Sequence, residues 1–196
     1  METKIVETTL PPKKANFWKD TAIFAIIALA IILPIRFFVA QPFIVDGSSM
    51  DPTFASNQYL IVDELTYRFE PIERGDVIIF KYPNDTSKYF IKRVIGLPGE
   101  TVQIEGSKVI ITNKDHPLGF TLTEKYVAPT NITSNKLTIT LSNSQYFTMG
   151  DNRAASFDSR SWGPLDKKYI IGRPFMRLFP FNQISFLPGE SQVTNR

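Results

Sequence analysis

The chain has 196 residues, enough for one core of ordinary size or for a domain carrying a modest insertion. Its 22 basic and 19 acidic residues leave a net charge of +3 without any block of Lys and Arg that would track a phosphate backbone, which argues against nucleic acid as a partner. The absence of cysteine excludes disulfides, a thiol nucleophile and thiolate-bound zinc. The single histidine, His116, sits in the turn-like Asn113-Lys114-Asp115-His116-Pro117, so a histidine triad or His-rich metal centre has little to build on.

Lys4, Lys13, Lys14 and Lys19 precede an uncharged apolar run over residues 21–35. Trp18 at one end and Phe37, Phe38 and Val39 at the other bring the run near the ~20 residues a spanning helix needs, and Arg36 can snorkel toward headgroups. A cleaved secretory signal fits less well, because Phe38 is large where a cleavage site wants a small residue. A buried soluble helix also fits poorly, because residues 22–34 offer no polar face. The run predicts one transmembrane anchor over 18–39, with residues 1–17 as a cytoplasmic tail. The lysines before it predict a cytoplasmic N-terminus, with the remainder of the chain extracytoplasmic.

Beyond the anchor, β-branched and aromatic runs at 58–62, 76–82, 89–95, 101–104, 108–112, 136–141 and 145–149 alternate with Gly, Pro, Asn and Asp clusters. This predicts a mostly antiparallel β fold, barrel-like, formed by residues 40–100 and 145–190 as one domain. Residues 101–144, rich in Thr, Asn and Lys and without a distinctive motif, read as an inserted β subdomain, and 191–196 as a C-terminal tail. The apolar 175–181 run fits either a lipid-interface segment or a packed closing strand.

Two stretches suggest chemistry. In Phe43-Ile44-Val45-Asp46-Gly47-Ser48-Ser49-Met50-Asp51-Pro52-Thr53 a strand-like run ends at Gly-Ser-Ser, where a serine can be exposed and rigidly held and main-chain N–H groups can face an oxyanion. In Tyr89-Phe90-Ile91-Lys92-Arg93-Val94-Ile95 the strand period sets Phe90, Lys92 and Val94 on one face, so burial among apolar neighbours would favour a neutral amine. Arg93 points to the other face. A plain turn and a snorkelling edge lysine fit these residues too, and each is the commoner case for an arbitrary sequence.

Three further segments join them: Arg74-Gly75-Asp76-Val77-Ile78-Ile79-Phe80, Gly96-Leu97-Pro98-Gly99-Glu100 following Lys92, and Gly150-Asp151-Asn152-Arg153-Ala154-Ala155-Ser156-Phe157-Asp158-Ser159-Arg160. In this order, behind an anchor, they resemble the motif set of bacterial type I signal peptidases, membrane-bound serine proteases with a Ser-Lys dyad. The resemblance spans nearly the whole chain outside 101–144. It implies Ser49 as nucleophile and Lys92 as general base, an acyl-enzyme at Ser49, and Ser156 as the hydroxyl that orients the lysine amine. Asp158 and Arg160 are implied as a supporting ion pair, with Asp151 and Arg93 behind the site. An oxyanion hole would use the Ser49 N–H and, because Gly47 stands where some members carry serine, a backbone donor at Gly47. Glu100 replaces the aspartate of many members.

The resemblance also implies substrates with small residues at −1 and −3, bound as an added strand against pockets lined by Phe43, Val45, Met50, Phe90 and Ile91. Its implied partners are preproteins carrying signal peptides, membrane lipid and, by proximity, the secretion translocon. The implied location is the bacterial cell membrane, and no metal or cofactor is called for. A self-cleaving repressor would use the same dyad, but it would need an Ala-Gly or Cys-Gly cleavage site and would lack the anchor; neither dipeptide occurs here. A ligand-binding anchored β domain would place Ser49 and Lys92 in structural roles.

Overall fold

The computed structural model describes residues 17–38, 40–129, 131, 136–190 and 194–195, with the backbone alone for 31–38, 40 and 194–195. The expected tail over 1–17 lies outside these residues up to 16. Val39, Thr130, residues 132–135 and most of the 191–196 tail lie outside them as well.

The N-terminal unit is helix α1 (Phe17–Phe38). Trp18, Ile23, Phe24, Ile26 and Ile27 are exposed along it. The expectation of a spanning anchor over 18–39 is not carried by the described residues, among which no helix is long and apolar enough to cross a membrane.

Residues from Phe38 onward form a second compact unit. Its strands are β1 (Ala40–Ile44), β2 (Tyr59–Asp63), β3 (Val77–Tyr82), β4 (Asp85–Gly96), β5 (Thr101–Glu105), β6 (Lys108–Thr112), β7 (Phe120–Thr123), β8 (Lys136–Thr140), β9 (Gln145–Met149), β10 (Leu165–Asp166), β11 (Ile170–Phe179), β12 (Ser185–Phe186) and β13 (Thr194–Asn195). Two one-turn helices, α2 (Thr66–Phe69) and α3 (Ser159–Trp162), interrupt them. All pairings are antiparallel. The larger sheet runs β1-β2-β11-β3-β4-β9-β10, with β12 on β11, and the smaller runs β13-β7-β6-β5-β8.

The barrel-like closure expected from the sequence is not formed among the described residues, because the larger sheet ends at β1 and β10 without their pairing. The edge strands are engaged on one side only: β1 pairs β2 and the two-residue β10 pairs β9, while β4 meets β9 only from Arg93 to Gly96, so its outer part has no partner on that side among the described residues. The 175–181 run, which fitted two readings, lies mostly in β11, paired with β2 and β12. Residues 101–144 supply four strands of the smaller sheet, yet they share a core with the larger one: Val102, Ile104, Val109, Ile111 and Phe120 pack with Ile95, Phe147 and Met149. A second core, with Ile78, Phe80, Val94 and Leu165, lies on one face of β3 and β4, and Val45, Met50, Phe54, Leu60 and Val77 form a third.

Between β4 and β5 the turn is closed by buried Glu100. Its carboxylate accepts from Arg74 at 2.6 Å, Asn113 Nδ2 at 2.9 Å and the Leu97 N–H at 2.8 Å. Burial by itself would raise this carboxyl, but those donors, Arg74 first, hold it below the usual range. Glu100→Gln is expected to cost about 2 kcal/mol of unfolding free energy in urea titrations at neutral pH. A depressed carboxylate contributes its full stability above the unfolded pKa of ~4.5, so the difference from the parent is expected to close as pH falls through the lowered folded value.

Candidate active site

The Ser49 segment leaves β1 and keeps a strand-like tie to β2 through Val45 N–H to Gln58 O at 2.9 Å and Asn57 N–H to Val45 O at 2.8 Å. Gly47 then turns the chain with φ of 97°, a conformation that side chains resist. Buried Met50 and Phe54 pin the far side of the turn, leaving Ser49 half-buried at its apex.

Lys92 stands where β4 passes from solvent into the core: residues 86–89 are exposed, and Lys92 to Gly96 are buried. Its side chain is 4% exposed. The strand period shows in the contacts, since Nζ lies 5.3 Å from the Phe90 ring centroid and Lys92 pairs with Ile78 of β3. Nζ is 2.8 Å from Ser49 Oγ and 2.9 Å from Ile91 O. Burial pushes the amine down to about 8, against the opposing fields of Asp158 and Asp151. A neutral amine with one lone pair can then accept the hydroxyl proton over that 2.8 Å contact.

The two carboxylates near Lys92 belong to other partners. Asp151 accepts from Arg93 Nε at 2.8 Å and Nη2 at 2.6 Å, and from Thr53 Oγ1 at 2.5 Å. Arg93, wholly buried, also donates to Gly75 O and Gly189 O, and its guanidinium lies 4.0 Å from the Tyr126 ring centroid. Asp158 is gripped by Arg160 through two 2.8 Å contacts and accepts the Gly150 N–H at 3.0 Å. Burial would raise the Asp158 carboxyl, and the Arg160 fork outweighs it, so the net direction is down.

Several sequence expectations need correction. Ser156 makes no hydrogen bond to Lys92. Its Oγ is buried close beneath Gly150 and helps hold the Asp158 carboxyl down. Met50 lines no cleft, because at 1% exposure it packs with Val45 and Phe54 in the core. The Gly47 N–H, expected as a second oxyanion donor, donates instead to Ser56 Oγ at 3.2 Å. Phe43, Val45, Phe90 and Ile91 do line a cleft of about 420 Å³ that also includes Ser49 and Lys92. Ile79, Tyr89, Ala155 and Phe157 line it too and were not singled out. Tyr89 and Phe157 could have been found as exposed aromatics beside motif residues.

Gly150 and Asn152 were quoted in a motif but given no role. Continuing the β4–β9 register one step beyond Arg93 and Met149 sets Gly150 opposite Lys92. A Cβ there would lie 2.3 Å from both Ser156 Oγ and the Ser49 carbonyl oxygen. Only glycine allows that approach.

Comparison with known proteins gives the family. Residues 18–179 match the family described as signal peptidase, peptidase S26. A probable signal peptidase I-2 of Synechocystis sp. is 31% identical over 98% of this chain and 88% of its own length. The signal peptidase I of Leptolyngbya laminosa is 37% identical over 82% and 79%. Signal peptidase I T of Bacillus subtilis is 33% identical over 88% and 91%. A crystal structure of a signal peptidase I from Enterococcus faecalis matches with a TM-score of 0.45 and 29% identity, covering 53% of this chain and 97% of that one. The chain belongs to the signal peptidase family, peptidase S26. Within that family it is a serine endopeptidase of the signal peptidase I kind, which cleaves signal peptides.

Gly150→Ala is expected to lower kcat by at least about 100-fold, because the backbone oxygen of Ser49 cannot retreat without moving the hydroxyl. Preprotein cleavage at saturating substrate checks it. A second outcome concerns stability. The Lys92 pKa of about 8 lies below its unfolded value of ~10.5, so the unfolded chain binds more protons between these limits and parental stability rises with pH across them. Lys92→Met removes the buried charge and is expected to melt higher than the parent below pH 8, with the gap narrowing toward pH 10.

Proposed function

We propose that this chain removes signal peptides by a Ser49–Lys92 dyad. The observation that carries the reading is the 2.8 Å contact between Nζ and Oγ, made by an amine whose burial favours its neutral form. Ser49 Oγ attacks the scissile carbonyl as its proton passes to Lys92 Nζ. The Ser49 N–H faces the developing oxyanion. The ammonium then protonates the departing amine, leaving an acyl-enzyme at Ser49 and a neutral lysine. Lys92 next takes a proton from water, the resulting hydroxide displaces Ser49 Oγ, and the serine recovers its proton from the ammonium.

Substrate lies in the cleft as an extended strand. Two facts support this: β1 ends its sheet with a free edge, and the outer half of β4 has no partner on its β9 side among the described residues. The cleft walls between Phe43, Val45, Ile79 and Ile91 suit small side chains at −1 and −3. Asp158, Arg160, Asp151 and Arg93 hold the surrounding backbone. Ser156 acts on the amine through Asp158, whose carboxyl it helps to hold down.

The N-terminal segment acts as a single-pass anchor with its N-terminus in the cytoplasm. Support comes from the lysines before the run and from the apolar side chains that α1 leaves exposed. The catalytic unit then works extracytoplasmically beside membrane lipid, near the translocon that delivers preproteins. Residues 101–144 form an insertion into the catalytic domain.

Cleavage of a preprotein in detergent is expected to be lost, by about 10⁴-fold or more, in both Ser49→Ala and Lys92→Met. Parental kcat/KM is expected to climb with pH to a plateau, with a midpoint near the Lys92 value of about 8, since the reactive form is the unprotonated amine. Parental rates in Lys92→Met would sink the dyad.

A further inference from the structure

Residues 101–144 carry no motif, yet one of their side chains reaches the nucleophile's backbone through a single intermediary. The Ser48 carbonyl accepts from Asn152 Nδ2 at 3.1 Å and from the Asp51 N–H at 3.1 Å. The Asn152 N–H holds the Ser49 carbonyl, also at 3.1 Å. The Ser48–Ser49 peptide is a rigid trans plane in which C=O and N–H point in opposite directions, so fixing the Ser48 oxygen aims the Ser49 N–H. With the Gly47 N–H engaged by Ser56, that N–H is the oxyanion donor on which the dyad reading relies.

Asn152 is itself oriented from behind. Asn131 Nδ2 donates to Asn152 Oδ1 at 3.2 Å and to Asp151 O at 3.1 Å, while Asn131 Oδ1 accepts the Ala154 N–H at 2.7 Å. A backbone N–H can only donate, so Asn131 must turn its oxygen to Ala154 and its NH₂ toward Asn152. Asn152 must answer with its oxygen, which leaves its own NH₂ for Ser48. Donor and acceptor identities are thus dictated along the whole line.

We propose that Asn131 and Asn152 form a two-amide relay that aims the Ser49 N–H at the oxyanion, making Asn131 a positioning residue contributed by the 101–144 insertion. The proposal rests on Ser49 being the nucleophile. It extends that reading to the group that prepares the oxyanion hole.

The test uses the full chain in detergent, with preprotein cleavage and a peptide aldehyde ending in alanine as probes. Ser49 Oγ adds to the aldehyde carbon as the C=O π bond breaks and the hydroxyl proton passes to Lys92, leaving a hemiacetal oxyanion in the hole. For Asn152→Ala, kcat per titrated active site is expected to fall about 100-fold with KM within about twofold of the parent, and aldehyde affinity is expected to fall by the same factor. Asn131→Ala is expected to lose about 10-fold in both, and the double variant to be no worse than Asn152→Ala alone, because both substitutions break one line. Asn131→Asp keeps the acceptor for Ala154 but lacks the NH₂ and is expected to match Asn131→Ala. The pH midpoint of kcat stays at the parental value, since Lys92 is untouched.

Should Asn152→Ala fail to fold, Asn152→Asp, equal in size and keeping the backbone N–H bond to Ser49, is expected to show the same paired losses. Parental kcat in the Asn152 variants would overturn the relay. So would a fall in kcat with aldehyde affinity unchanged. Undiminished cleavage by Ser49→Ala would instead remove the nucleophile assignment, a separate failure.

Discussion

A lysine amine kept almost out of water is the constraint around which the catalytic unit is arranged. Burial penalises the ammonium, and two carboxylates close by favour it. If either carboxylate bonded Lys92 directly, the charge would be locked on and the amine would make a poor base. Each is instead claimed by an arginine: Asp151 by Arg93 and Asp158 by Arg160. Both carboxylates therefore act on Lys92 through space and not through a direct bond. The same pairs are costly to desolvate and contribute little net stability by themselves, and their value lies in fixing the backbone around the amine.

Much of that backbone converges on Gly150. Its N–H goes to Asp158, its carbonyl accepts from Arg153 Nε at 3.0 Å, and its Cα face lies against Ser156 and the Ser49 carbonyl. Arg153 in turn is paired with Glu124, whose carboxylate also accepts from the Tyr126 hydroxyl at 2.7 Å. Tyr126 lays its ring on Arg93. Glu124, Tyr126 and Asn131 all come from the stretch between β7 and β8, so that stretch braces the motif segment. Trimming this stretch would disturb Gly150 through Arg153.

The cleft owes its existence to unequal strand lengths. β4 is 12 residues long and β9 only 5, so β9 covers the inner end of β4 and leaves the outer end open. Lys92 sits next to the last covered position. The amine is therefore buried by its own strand neighbours while its tip remains reachable from the open edge. Tyr82 and Phe90 stack near that edge and Phe157 meets both rings edge-on, which keeps it apolar.

Local pattern alone was enough for the antiparallel strands, for the face shared by Phe90 and Lys92, and for the order of motifs that marks the family, because each depends on residues adjacent or two apart in the chain. Strand ends shifted by a residue or so, and β4 proved longer than its apolar run because its polar outer half still pairs with β3. The short β7, β10, β12 and β13 and the first half of β11 were not among the expected runs. Tertiary structure decided the rest. Whether Met50 faced a pocket or the core, whether the Gly47 N–H was free, whether Ser156 touched the amine and whether the larger sheet closed all depend on partners brought from far along the chain. The Lys92–Ser49 contact joins positions 43 apart, and the Asn152–Ser48 hydrogen bond joins positions 104 apart. Contacts at such separations follow from how two sheets pack, and no spacing along a single strand encodes them.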